Sequence, residues 1–401
     1  MSTTVIALDK ALGEYLGFVA DPVATLAAAV EADPGFILGH TTIAALHCLG
    51  GSTGDAPPVR EALAAADALA ASATSREGLH ISAAHAWAAG DITGAAAFWE
   101  VAVETDSADL LALRLAHDTH FYLGASKKLR DVPLSALPAY APRSRERGFV
   151  LGMAAFGLEE TGDYTHAEMV GRESVEINPG DSWGVHAVAH VLEMQDRPKE
   201  GVAWLRRLEP HWAQAGGLAV HQWWHLTLYL IEQGRFDEVL EIYDAQFGIG
   251  VSSQILDLVD AAALLWRLEL VGVDVGGRWR DLAPLWAAHA DEHVLVFNDV
   301  HISITLAGSG DETASDQLEA SILVYATREK GTNAEVSKAL GLRVIQKGIN
   351  EGDSIVIEGV QKISDGVTVD PKPAPPPVAS SASSAAPPPS GSSQPVSAAK
   401  N

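Results

Sequence analysis

Apolar and small residues recur along the first three quarters of the chain with the period of amphipathic helices, and these helices come in pairs. In each pair, an apolar helix ends at a glycine or an aspartate, and a second helix follows with alanine or another small residue near its start. The turn residues are Gly50, Gly90, Gly124, Gly162, Asp196, Gly234, Gly272 and Gly308. They recur at steps of 34 to 40 residues, which indicates an internal repeat.

The clearest repeat unit spans residues 149–179. Gly162 forms its turn, and Ala155 and Ala167 are small residues at the points where its two helices contact their neighbours. One pair cannot bury its apolar face alone, so consecutive pairs must stack. The step is close to the ~34 residues of tetratricopeptide repeats. We therefore predict an all-α fold, a tetratricopeptide-like helical-hairpin solenoid (α-α superhelix), over residues 1–342.

The remaining chain has a different composition. Within residues 343–370, Ser354–Glu358 has strand composition and follows a turn, which predicts a β-rich segment with a short β-hairpin. Residues 371–401 are rich in proline, alanine and serine and contain no acidic residue. Such a segment has too little apolar surface to fold, so we predict a disordered tail.

The charge balance excludes several classes of partner. The formal net charge is −25, with 27 basic and 52 acidic residues, which disfavours nucleic acid and an anionic membrane surface. Cys48 is the single cysteine, so an intrachain disulfide is impossible and a reducing compartment is expected. The N-terminus lacks the pattern of a signal peptide, and no apolar stretch reaches the ~20 residues of a membrane span. These features predict a soluble cytoplasmic protein.

Histidines spaced for one face of a helix are the main candidates for chemistry. His186 and His190 are four residues apart, as are His221 and His225, and Glu193 shares the face of the first pair. Such imidazoles can share a zinc or iron ion, with Glu193 as an oxygen ligand. The patterns of zincins and of ferritin-like sites are absent, however.

A groove-lining role for these histidines is the preferred interpretation, because helical spacing alone is a weak signal for a metal. No cofactor is therefore predicted. The metal candidates, if a metal binds, are His186, His190, Glu193, His221 and His225. Acidic clusters such as Glu159-Glu160 are interpreted as solvated helix faces.

Aromatic residues beside the histidines raise the possibility of an organic-ligand pocket. Trp183, Trp223, Trp224 and Tyr229 would supply apolar walls, although tryptophans also fill gaps between stacked helices. The candidate groove residues are His117, His120, Trp183, His186, His190, Glu193, His221, Trp224, His225, Tyr229 and His301.

Several long motifs resemble those of the tetratricopeptide repeat protein 38 (StaR-like) family. They are His117–Tyr122, Trp183–Gln195, His221–Tyr229, His293–His301 and Gly331–Asn333. The resemblance covers about residues 1–342 and implies a helical-repeat protein whose activity is poorly defined. The pattern from Gly348 to Gln361 resembles the end of an efflux-pump periplasmic adaptor. That resemblance implies a chimeric C-terminus on a solenoid truncated at its C-terminal end.

These patterns favour a helical-repeat scaffold that binds a protein, peptide or small-molecule ligand in a concave groove lined by histidine and tryptophan. The alternative is an enzyme of undefined reaction, metal-dependent or not, built on the histidine pairs, and no catalytic residue is assigned. Convergence of His117, His120 and the two later pairs would favour the enzyme, whereas scattered imidazoles would exclude it. An efflux-adaptor role is disfavoured, because the sequence shows no export signal.

Overall fold

The computed structural model of the protein describes residues 3–248, 250, 252, 254–293 and 295–328. The predicted β-rich segment at 343–370, the predicted tail at 371–401 and the resemblance to an efflux adaptor lie outside the described residues. The predicted truncation of the solenoid near residue 342 lies outside them as well.

The described residues form α-helices and contain no strand. Two short 3₁₀ turns, Ala70–Ser72 and Leu137–Ala139, follow α4 and α8. The helices are α1 (Thr3–Gly17), α2 (Pro22–Ala32), α3 (Ile37–Leu49), α4 (Pro57–Leu69), α5 (Ser75–Ala88), α6 (Ile92–Thr105), α7 (Leu110–Tyr122), α8 (Ser126–Ala136), α9 (Arg145–Glu160), α10 (Tyr164–Ile177), α11 (Ser182–Met194), α12 (Pro198–Trp212), α13 (Gly216–Glu232), α14 (Phe236–Gln246), α15 (Ile255–Leu270), α16 (Arg278–Ala287), α17 (Val296–Ser309) and α18 (Glu312–Arg328).

Each odd-numbered helix packs against the even-numbered helix that follows it, which gives a row of antiparallel helix pairs. The first helices of consecutive pairs also pack against each other from α9 through α11, α13 and α15 to α17. The predicted all-α, tetratricopeptide-like helical-hairpin solenoid is thus confirmed over the described residues. No helix among them is long and apolar enough to cross a membrane.

The predicted turns explain why the pairs repeat so regularly. At the turn of α9 and α10, Gly162 has φ = 80°, and the amide of Asp163 donates to the carbonyl of Leu158. This bond closes the end of the helix in the manner of a Schellman motif, which needs a left-handed residue. Predicted turn residues with positive φ are Gly90, Gly124, Gly162, Asp196, Gly234 and Gly272.

Two predicted turn positions are corrected by one or two residues. The left-handed residues are Gly51 rather than Gly50, and Gly310 rather than Gly308. Gly308 lies inside α17, where a Cβ atom would come within 2.5 Å of the Trp279 ring. The absence of a side chain at Gly308 permits close packing, so this glycine is not a turn signal.

A buried small residue follows several turns by five positions, as predicted for the second helix of each pair. Ala95, Ala167 and Val239 are 0% exposed at this position. In α12 the equivalent residue is Gly201, where a Cβ atom would lie 2.4 Å from the Tyr229 ring. Small residues at these positions permit close helix packing, and at Gly201 the neighbour is α13, the first helix of the next pair.

The turn at Asp196 gives a first testable prediction, because an L-amino acid holds the left-handed conformation there with φ = 56°. The Asp196→Gly variant should gain about 0.5 kcal/mol in free energy of unfolding, since glycine adopts this conformation without the steric cost. Urea denaturation would measure the gain. The opposite change at the equivalent turn, Gly162→Ala, should lose about 1 kcal/mol. A loss of stability in Asp196→Gly would contradict this account.

The apolar core is continuous through α11, where two clusters of buried side chains meet. Trp183 and Ala187 belong to the cluster formed mainly by the preceding helices, whereas Val185 and Val188 belong to the cluster of the following ones. These four residues occupy two sides of α11. His186 and His190 lie beside Trp183 on the face of α11 that contacts both Phe156 of α9 and His225 of α13.

Candidate functional site

The two histidine pairs face each other across the contact between α11 and α13. The ring centroid of His186 lies 5.0 Å from those of both His221 and His225, and the ring of His190 lies 4.7 Å from that of His225. One ring nitrogen from each of the four residues can be chosen so that all lie within 4.8 Å of one another. Four of the six candidate imidazoles therefore converge.

A carboxylate lies beside each of the two outer histidines of this cluster. His221 Nδ1 lies 2.9 Å from Asp260 Oδ2 of α15, which is a hydrogen bond. His190 Nδ1 lies 3.4 Å from Glu159 Oε2 of α9. Because the hydrogen bond to Asp260 keeps the proton of His221 on Nδ1, the Nε2 lone pair of His221 is directed elsewhere. The Nε2 atoms of His190 and His186 lie 2.9 Å apart.

The inner histidines carry buried nitrogens without hydrogen-bond partners in the part of the chain that the structure describes. His225 is 3% exposed, and neither its Nδ1 nor its Nε2 has a partner there. His186 is also 3% exposed, and its Nδ1 has none either. A buried polar atom that is left unpaired costs about 1–3 kcal/mol, so such atoms usually mark a bound group or a functional strain.

The electrostatic environment shifts the pKa values of the inner histidines and of His221 in opposite directions. Burial, and then the nearby histidine charges, lowers the pKa of His186 and of His225 well below the usual value, so both rings are neutral at pH 7. Burial also acts to lower the pKa of His221. The charge and hydrogen bond of Asp260 outweigh that effect and raise the pKa of His221.

Aromatic rings surround the cluster. Phe156 and Trp183 contact His186 with ring centroids 5.7 and 5.0 Å away, and Trp224 stacks on His221 at 5.3 Å. Phe121 extends this wall, because its ring lies 6.4 Å from that of Trp183 and is 51% exposed. The site therefore combines apolar walls with a few polar groups.

Access to the cluster is provided by its outer members. The side chains of His190 and His221 are 27% and 32% exposed, and Trp224 is partly exposed. We call the surface around His190, His221, Trp224 and Phe121 the histidine face. A ligand on this face would meet two imidazoles first and the buried pair behind them.

His117 and His120 do not join the four-histidine cluster. His117 lies at its edge, where its Nε2 accepts a hydrogen bond from Trp183 Nε1 at 3.1 Å. His120 instead pairs with Glu100 of α6 at 3.0 Å. Burial lowers the pKa of His120 even though Glu100 opposes that shift.

The other predicted groove residues occupy different surroundings. Tyr229 is 0% exposed and its hydroxyl donates to the carbonyl of Ala189, so its contacts are those of packing between α11 and α13. His301 is 9% exposed and bonds through Nδ1 to the carbonyl of Phe297. Glu193 is partly buried and lies outside the four-histidine group, although its charge acts on Arg267.

Two acidic residues of the site were not predicted from the sequence. Glu159 is 6% exposed, so it is a buried partner of His190 and not part of a solvated helix face. Asp260 is 6% exposed within the apolar helix α15. The signal in the sequence was an acidic residue at a position that the helical period assigns to the apolar side.

A second polar cluster at the end of the described region has the atom order of a serine–histidine–aspartate triad. His293 Nδ1 lies 3.0 Å from Asp299 Oδ1, and His293 Nε2 lies 2.8 Å from Ser321 Oγ. Ser321 lies in the middle of α18, however, so the neighbouring amides bond within the helix and none is directed at an oxyanion. Its hydroxyl donates to Asp291 Oδ1 at 3.0 Å. These contacts attach α18 to the segment before α17.

The chain matches no family model. Among solved structures, it is similar to a thermophilic tetratricopeptide repeat protein from Thermus thermophilus. The two are 20% identical in sequence and superpose with a TM-score of 0.37 over 48% of this chain and 100% of the other. The solenoid described above follows from the helix pairs and turns of this chain alone.

Proposed function

We propose that the protein is a helical-repeat scaffold that binds a peptide or a small organic ligand on the histidine face. The observation that supports this most directly is the half-exposed ring of Phe121, which contacts the ring of Trp183. Trp183 in turn contacts His186, and the side chains of His190 and His221 are partly exposed beside it. Aromatic anchors beside a few polar groups are typical of ligand sites.

The charge of the chain supports a narrower range of partners. With a net charge of −25, nucleic acid and anionic membranes would be repelled over most of the surface. We therefore propose a soluble, cytoplasmic role with a peptide, protein or small-molecule partner. We also propose membership of the tetratricopeptide repeat protein 38 (StaR-like) family for residues 1–342, on the motifs quoted above.

An enzyme built on the histidine cluster is the second candidate function, and the convergence of four imidazoles favours it. His221 is partly exposed and is oriented by its hydrogen bond to Asp260, so it could exchange a proton with a bound ligand. The reaction itself is not defined by these residues.

Selection from a peptide library and a small-molecule library by binding to the native chain would test the scaffold function. The dissociation constant of each selected ligand would then be measured for Trp224→Ala and Phe121→Ala. We expect each substitution to weaken binding at least about tenfold, because truncated aromatic anchors typically cost more than about 1.4 kcal/mol.

The matched control for this test is Met169→Ala, a 58% exposed apolar residue on the second helix of another pair. It should leave the dissociation constant unchanged. Libraries that give no ligand would contradict the proposed function. Ligands whose dissociation constants are unchanged in Trp224→Ala and Phe121→Ala would contradict it as well.

A further inference from the structure

We propose that His186, His190, His221 and His225 bind one divalent transition-metal ion between α11 and α13. One ring nitrogen of each residue lies within 4.8 Å of those of the other three, with two ligands contributed by each helix. Zinc–imidazole bonds are about 2.0–2.1 Å long, so ligand atoms around a tetrahedral ion lie about 3.4 Å apart. On binding an ion, the more distant nitrogens would move closer together, and the 2.9 Å contact between the Nε2 atoms of His186 and His190 would lengthen.

The unpaired nitrogens of the inner histidines are an independent observation that points to an ion. His225 is 97% buried (3% exposed), and both of its ring nitrogens lack a hydrogen-bond partner within the described residues. Its ring is nevertheless 4.7 Å from those of both His190 and His221. An apolar ring of similar size would pack there without the cost of unpaired nitrogens, whereas a metal ion would use a lone pair of His225.

The carboxylates around the cluster have the arrangement of partners that orient metal-binding histidines. Asp260 Oδ2 accepts from His221 Nδ1 at 2.9 Å, which leaves the Nε2 lone pair of His221 for a metal. Glu159 lies 3.4 Å from His190 Nδ1, on the side of that ring away from His186. Both carboxylates are buried, so their charges would offset that of the ion.

The chemistry of the ligand set defines the class of metal. Four imidazoles suit zinc, copper, nickel or ferrous iron, whereas magnesium and calcium require oxygen ligands. The partial exposure of His190 and His221 opens a path from the histidine face to the ion. A bound ion there would lie next to any ligand on that face.

Isothermal titration of the chelator-treated full chain with Zn²⁺ alone would test this proposal. We expect one ion per chain, and replacement by Co²⁺ should give the visible absorption of a nitrogen-ligated tetrahedral site. His225→Ala should raise the dissociation constant at least about 100-fold, and Asp260→Asn about 10- to 100-fold. The control His166→Ala removes an exposed histidine on α10 and should change nothing.

Two outcomes would overturn the proposal. One is that the native chain binds neither Zn²⁺ nor Co²⁺. The other is that His225→Ala binds the ion with the same stoichiometry and affinity as the native chain. Circular dichroism checks folding, and His221→Asn serves as a second ligand variant if His225→Ala does not fold, because the His221 side chain is 32% exposed. The titration uses metal alone, so it succeeds or fails independently of the organic ligand proposed above.

Discussion

Replacing Gly157 by alanine is expected to lower the free energy of unfolding by about 3 kcal/mol. The added Cβ atom would lie 2.2 Å from the backbone nitrogen of Arg130 and 2.3 Å from the carbonyl group of Leu129. These atoms belong to the backbone of α8, so no side-chain rotation can relieve the clash. Helices α8 and α9 would have to separate along their whole contact.

Urea denaturation of Gly157→Ala and the native chain would measure the loss. The matched control is Gly78→Ala in α5, where a Cβ atom would meet nothing within 4 Å. That variant should gain about 0.5–1 kcal/mol, because alanine is the better helix former. Equal effects of the two substitutions would show that the contact between α8 and α9 does not limit stability.

The spacing of α8 and α9 also bears on the candidate site, because Phe156 and Glu159 flank Gly157 on α9. Phe156 contacts the rings of His186 and His190, and Glu159 lies beside His190. A shift of α9 away from α8 would therefore move one wall of the site. Ligand affinity should fall together with stability in this variant.

The repeat pattern of the sequence was sufficient to predict the helix pairs, since a left-handed residue must close each first helix. Gly162 and Asp196 show why both residue types served as signals, with φ of 80° and 56°. Gly308 shows the limit, because a glycine required by close helix packing looks the same in sequence as a glycine required by a turn. Only the contact with Trp279 separates the two.

The convergence of the histidines was also partly predictable from the repeat. His186 and His221 are 35 residues apart, as are His190 and His225, which is about one repeat step. Residues separated by one step lie on first helices that pack against each other, so equivalent positions become neighbours. The same reasoning places Asp260, 39 residues after His221, within reach of that ring.

Other parts of the site could not be predicted in this way. His117 and His120 have the spacing of a same-face pair, yet one accepts from Trp183 and the other pairs with Glu100. The directions in which the His117 and His120 side chains point depend on the rotation of α7 about its axis, and the repeat step does not define that rotation. The contact of α1 with α7 joins residues more than 100 positions apart, so no local pattern indicated it.

That contact is centred on a buried charge next to the candidate site. Arg114 is 3% exposed, and its Nε donates to Asp118 Oδ2 at 2.9 Å. The hydroxyl of Tyr15 on α1 also donates to Asp118. The guanidinium lies 5.0 Å from the ring centre of Phe18 and 5.2 Å from that of Trp183. Arg114 thus connects α1 to the wall of the histidine cluster.

The Arg114→Met variant is expected to lose about 3–5 kcal/mol in free energy of unfolding at pH 7.5, the typical cost of leaving a buried charge without its partner. Methionine preserves the apolar stem but leaves the Asp118 carboxylate with only the Tyr15 hydroxyl as a partner in this contact. The Arg114→Met/Asp118→Asn double variant should recover more than half of the loss, because it removes the unpaired charge as well.

The loss in Arg114→Met should also depend on pH in a defined direction. Burial raises the pKa of Asp118 in the folded chain, and Arg114 opposes that shift. Without Arg114 the folded-state pKa rises further above the unfolded value, so the folded chain binds the proton more tightly. The stability that protonation of Asp118 contributes is lost as pH rises through its folded-state pKa. That stability returns as pH falls toward the pKa of Asp118 in the unfolded chain. The urea midpoint of Arg114→Met should therefore lie further below that of the native chain at pH 7.5 than at pH 5. A deficit that is the same at both pH values and persists in the double variant would show that Arg114 acts only through its contacts with the Phe18 and Trp183 rings.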